Sequence, residues 1–154
     1  MRALILALSL LPARIAAQDA NPLEPVPCDP ADEFLIPDPF AENVLTFANG
    51  DVTVARIDRG EPEAASQFLM ILSPPLDAAG DKQCKVIGRA PGEGWAAIWL
   101  QDLEAVYDPD RGLIFMLPAT YVDLEAGFQN AMQLGIVLRQ DTGAITATET
   151  PRAG

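Results

Sequence analysis

Any chemistry in this chain has to be done without histidine, because none of its 154 residues is one. That removes Ser-His-Asp and Cys-His nucleophilic sites, paired-histidine zinc sites, and the side chain best suited to act as a base near neutral pH. Beyond residue 17 the serines are Ser66 and Ser73, at the two ends of an apolar run and neither inside a GxSxG turn. The two lysines, Lys82 and Lys85, flank Cys84 at positions that read as exposed sites on a strand. Gly88, Gly92 and Gly94 mark a glycine-rich stretch, but no Lys-Ser or Lys-Thr follows it and no helix signal opens there. It lacks the parts of a phosphate loop.

Carboxylates are what remain. Asp102 and Glu104 are two apart, which puts them on one face if the segment is a strand, and Asp108 and Asp110 flank Pro109. A carboxylate-only hydrolase needs two such groups facing each other across a cleft, one of them desolvated. Acids in a tight turn are more simply solvated turn formers. The DxDxG start at Asp108 resembles the opening of a calcium loop, yet position twelve is Ala119 where a bidentate Glu is required. No catalytic residue, cofactor or metal ligand is assigned.

Two tryptophans and two cysteines complete the inventory. Trp95 and Trp99 fall on one face of a strand and are candidate ligand contacts for an apolar or sugar molecule in a barrel mouth; the alternative is that both are core. Cys28 and Cys84 are the only cysteines. In an oxidising compartment an isolated pair is expected to form a disulfide, and closing a loop of that length is worth roughly 4 kcal/mol in chain entropy.

The compartment follows from the first residues. Arg2, the apolar run from Ala3 to Leu11, the break at Pro12 and the small residues Ala16-Ala17 read as a signal peptide over residues 1–17. The run is about half the length a membrane-spanning helix needs, so no integral membrane segment is expected in the mature chain. The protein is therefore expected to be exported, periplasmic or secreted. Cleavage removes Arg2 and Arg14 and no acid, leaving eight basic against 22 acidic residues and a formal charge of −14. Such a chain repels nucleic acid and anionic lipid, and its partner would be a basic protein or a small apolar ligand.

The elements that must position these residues are mostly strands. In Val44–Ile57 two alternating runs flank Asn49-Gly50, the pair best able to take the positive φ angles of a type I′ turn. That register pairs Leu45 with Val54 and Phe47 with Val52 on one face, and Thr46 with Thr53 on the other. Ser66–Ser73 is apolar on both faces and predicts a strand covered on both sides, ended by Pro74-Pro75. Lys82–Arg89 is a further strand. Trp95–Tyr107 fits a helix stripe or a broken strand; the Asp108–Gly112 turn and the strand Gly112–Leu117 after it favour the strand. Pro118 is expected to end that strand, and Gln129–Arg139 with Ala144–Glu149 forms a last hairpin.

Ahead of these, residues 18–40 are proline-rich and predict a strap lying over a single β domain at 41–150, with a short helical turn at Pro30–Leu35 and a frayed tail at 151–154. The fold class is all-β, mainly antiparallel: about eight strands in a small barrel or sandwich, with at most a short helix. The function expected is that of a non-enzymatic binding or interaction protein of the cell envelope, inhibitor-like toward a basic partner.

Overall fold

The computed structural model describes residues 19–152. The predicted signal peptide and the last two residues lie outside that range. The chain forms an antiparallel sandwich of two sheets. In chain order the strands are β1 (Asn21–Leu23), β2 (Val26–Pro27), β3 (Val44–Phe47), β4 (Val52–Asp58), β5 (Gln67–Leu76), β6 (Lys82–Ile87), β7 (Ala97–Ile98), β8 (Glu104–Asp108), β9 (Gly112–Asp123), β10 (Phe128–Leu138) and β11 (Ile145–Pro151). One sheet runs β2-β6-β5-β4-β3. The other runs β1-β11-β10-β9, with both β7 and β8 pairing the far side of β9. The eleven strands exceed the expected eight by the three shortest, β1, β2 and β7.

The Asn-Gly hairpin has the predicted register, Leu45 on Val54, Thr46 on Thr53 and Phe47 on Val52. Val52 and Val54 are fully buried, and Leu45 and Phe47 pack on the same core. Asn49 and Gly50 take φ of 56° and 90°, as that turn requires. The run predicted to be covered on both sides is β5, the central strand of its sheet. Leu69 and Ile71 point into the main core between the sheets; Phe68 and Met70 point the other way, into a second cluster with Ile57 and Val86.

That second cluster is closed by the proline-rich segment, through Cys28, Phe34 and Ile36. Leu35 does not join them; it is exposed, and its backbone bridges Asp58. The segment also enters the sheets, contributing β1 to one and β2 to the other. Both are edge strands, where a missing proline N–H leaves no ladder bond unmade. No helix forms at Pro30–Leu35, where Asp29 Oδ1 accepts the N–H of Ala31 in a simple turn. The short helix is α1 (Phe40–Asn43), and the buried Asn43 side chain donates to the carbonyls of Pro37 and Pro39.

Two expected strand ends are not ends. At Pro74-Pro75 the ladder to β6 shifts register between Ser73 and Leu76 and then resumes. At Pro118 β9 continues, because the carbonyl of Pro118 accepts the Trp99 N–H on the β7 side. Its nitrogen faces that same edge, at the gap where β8 has finished and β7 has not begun. β11 likewise runs through Pro151, which faces Met132.

Candidate functional site

Cys28 and Cys84 are joined as a disulfide with Cα atoms 5.4 Å apart, and the N–H of Cys28 also donates to the Cys84 carbonyl. The bond ties the segment after β2 to the middle of β6. Trp95 and Trp99 do not share a face. Trp95 is 0% exposed, held by backbone hydrogen bonds to Gln67 in both directions, whereas Trp99 is 41% exposed at the start of the turn Leu100–Asp102. Gly94 permits the approach of Trp95 to β5, since a Cβ there would run into the Gln67 carbonyl.

Asp102 and Glu104 are not on one strand either: Asp102 closes that turn and Glu104 opens β8, and both border an open groove with Arg152. Asp108 Oδ1 accepts the N–H groups of Asp110 and Arg111, at 2.8 and 3.0 Å, which is the work of a turn former.

The most organised polar constellation centres on Glu149, absent from the residues singled out in the sequence. Its carboxylate is 2% exposed on the inward face of β11. Oε1 accepts from Asn21 Nδ2 at 3.2 Å and from Arg89 Nη2 at 3.3 Å; Oε2 accepts from Trp95 Nε1 at 3.2 Å and Arg89 Nε at 3.3 Å. Arg89 also donates to Glu93, at 2.9 Å, and lies 3.7 Å above the Tyr121 ring. Four donors fill the lone-pair positions of the carboxylate, so it has no site left from which to take a substrate proton. Its effect is to lock β1, β11, β9 and the 89–95 connection together. A signal for it existed: Glu149 continues the inward parity of Ile145 and Ala147, and an acid at an inward position demands a cation.

Outside this cluster lies a cavity of about 250 Å³ with Phe68, Val86 and Val26 as apolar walls and Arg89 and Arg59 at its sides. Arg59 stacks 4.5 Å over Phe68 and pairs with Asp32 at 2.6 Å. Neither tryptophan lines it.

A different kind of opening exists at β8. This strand pairs with β9 alone, and no strand covers its other edge among the described residues. Glu104 through Tyr107 are all exposed, Val106 at 63% and Tyr107 at 65%. Val106 sits opposite Ile114, and Glu104 opposite the exposed Met116, on the outward face of the sheet. Continuing across that face, the outward positions of β9, β10 and β11 carry no charge; they include Ile114, Met116, Gln133, Val137 and the row Thr146, Thr148, Thr150. In a chain with 22 acids, the outward carboxylates on this face are those of β8, Glu104 and Asp108. No helix among the described residues is long and apolar enough to cross a membrane, and no cluster of them could hold a metal ion.

Comparison with family models, with curated proteins and with solved structures finds no match to this chain.

Proposed function

We propose that this is an exported, non-enzymatic binding domain of the cell envelope that docks a basic protein partner, in the manner of an acidic inhibitor. The observation that carries the reading is β8: an open strand edge, apolar in the middle and acidic at both ends, beside an uncharged sheet face. A formal charge of −12 on the full chain draws a cationic partner in from a distance and repels nucleic acid. Asp108 is committed to its turn and Glu149 is saturated by its donors, so neither is free to act as an acid or base.

The test is retention of purified basic proteins, a muramidase among them, on the immobilised disulfide-bonded protein. Retention at low salt that weakens as salt rises is the expected result. If no basic protein is held at low salt, the reading fails.

A second reading is favoured by the cavity at Phe68 and Val86, which offers apolar walls to a small ligand. Its volume of about 250 Å³ lies just below the range of ordinary ligand pockets, so the occupant would be smaller than a typical lipid or drug-sized molecule. Titration of a small apolar dye into the folded protein tests it, and no change in the dye's own emission would exclude it.

A further inference from the structure

We infer that β8 binds its partner by strand addition, and that the partner segment is an extended stretch with basic residues four apart and small or β-branched residues between them. The inference rests on the proposed function and gives it a site and a recognition rule.

The sandwich has few places where a strand could be added. β1 and β2, at one side, are three and two residues long and contain Pro22 and Pro27. β7 is two residues long, and β3 is the four-residue edge of the other sheet, its Val44, Leu45 and Phe47 half-buried. β8 has five residues with no proline and no bulge, and its two charges, Glu104 and Asp108, stand at its ends and leave Ala105, Val106 and Tyr107 between them. Its free side presents backbone donors and acceptors that an extended peptide can satisfy, as in other strand-addition complexes.

Charge decides the occupant. If a second copy paired antiparallel through β8 with Val106 on Val106, Glu104 of each copy would face Asp108 of the other. Two carboxylate pairs would then stand directly opposed, between chains that each carry −12. A segment with Lys or Arg at its first and fifth positions reverses both contacts in the same register. Its second and fourth side chains meet Ala105 and Tyr107, on the parity of the buried Leu113 and Phe115; its third meets Val106 on the outward face.

The probe is a blocked Lys-Val-Thr-Val-Lys peptide, with Glu-Val-Thr-Val-Glu as its control, titrated into the ¹⁵N-labelled disulfide-bonded protein. Expected are amide shifts and slowed hydrogen exchange confined to residues 104–108 and their β9 neighbours with the basic peptide, and none with the acidic one. Glu104→Lys should cut the preference for the basic peptide about tenfold, since it turns one attraction into a repulsion. Val106→Lys, at an exposed position, should abolish binding while the rest of the spectrum stays that of the folded protein.

Basic-peptide shifts centred elsewhere, for example on the strap acids Asp29 and Asp32, would overturn the site while leaving a basic partner in place. So would a Val106→Lys protein that still retains the basic proteins held by the wild type. Loss of retention for the wild type itself removes the underlying reading, and the strand-addition inference with it.

Discussion

A buried carboxylate bound to an arginine is easily taken for a catalytic acid, and at Glu149 the hydrogen bonds argue otherwise. Each oxygen accepts twice, from Arg89, Trp95 and Asn21, and the cation itself is shared with Glu93 and the Tyr121 ring. Removing Arg89 strands the Glu149 charge away from water, a loss of about 3–5 kcal/mol, whereas removing Glu149 leaves Arg89 paired with Glu93. Arg89→Ala should therefore lower the urea midpoint strongly and Glu149→Ala less. The double replacement Arg89→Leu with Glu149→Leu should recover much of the loss, because no lone charge is left behind. Equilibrium unfolding of the three variants checks this; a double variant as unstable as the sum of the singles would mean that the two residues act independently and not as a pair.

The two sheets are finished differently on their outer faces. The β2-β6-β5-β4-β3 sheet turns Phe68, Met70, Ile57 and Val86 outward, and the strap covers them with Phe34 and Ile36 under the Cys28–Cys84 bond. The other sheet turns out threonines, glutamine and a few aliphatics, and needs no cover. Cys28→Ser with Cys84→Ser should cost about 2–4 kcal/mol and raise the fluorescence of a hydrophobic dye, as the strap loosens from Phe68 and Met70. Thermal unfolding and dye titration measure the two effects.

Which of these elements could be read from the residues depends on how local their causes are. The Asn49-Gly50 hairpin, the two-faced β5 and the β8–β9 turn each rest on neighbours in sequence, and were legible. Pro22, Pro27, Pro74 and Pro118 misled because proline is tolerated wherever its nitrogen faces an open edge or a register shift, and only the sheet order reveals where those are. The separation of Trp95 from Trp99 was hidden for a similar reason. Trp95 is held by β5 and Trp99 by β9, so the segment between them turns over from one sheet toward the other. The open edge of β8 was not visible at all, since an edge is a property of the assembled sheet.

For the whole molecule, the absence of histidine together with an excess of acids sets an unusual response to pH and salt. No side chain has an ordinary pKa between about 5 and 8, so the thermal midpoint should be nearly flat from pH 6 to pH 8. Acid loss should begin lower. The N–H groups of Asp81 and then Ala79 hold the Asp77 carboxyl below the usual aspartate range, and the Arg139 side-chain hydrogen bond does the same for Asp141. A carboxyl whose folded pKa is depressed contributes stability that is present above its unfolded value and lost as pH falls through the folded one. The window is therefore below about pH 4, and Asp77→Ala should lower the midpoint at neutral pH while making the acid fall shallower. Salt acts on the same molecule in two opposite senses. Raising it from about 10 to 300 mM at pH 7 screens the repulsion among 22 acids and should raise the thermal midpoint, while it weakens retention of a basic partner. If salt stabilised the fold without loosening the partner, long-range charge would have no part in recognition, and the contact would have to be carried by backbone pairing and apolar contact at β8.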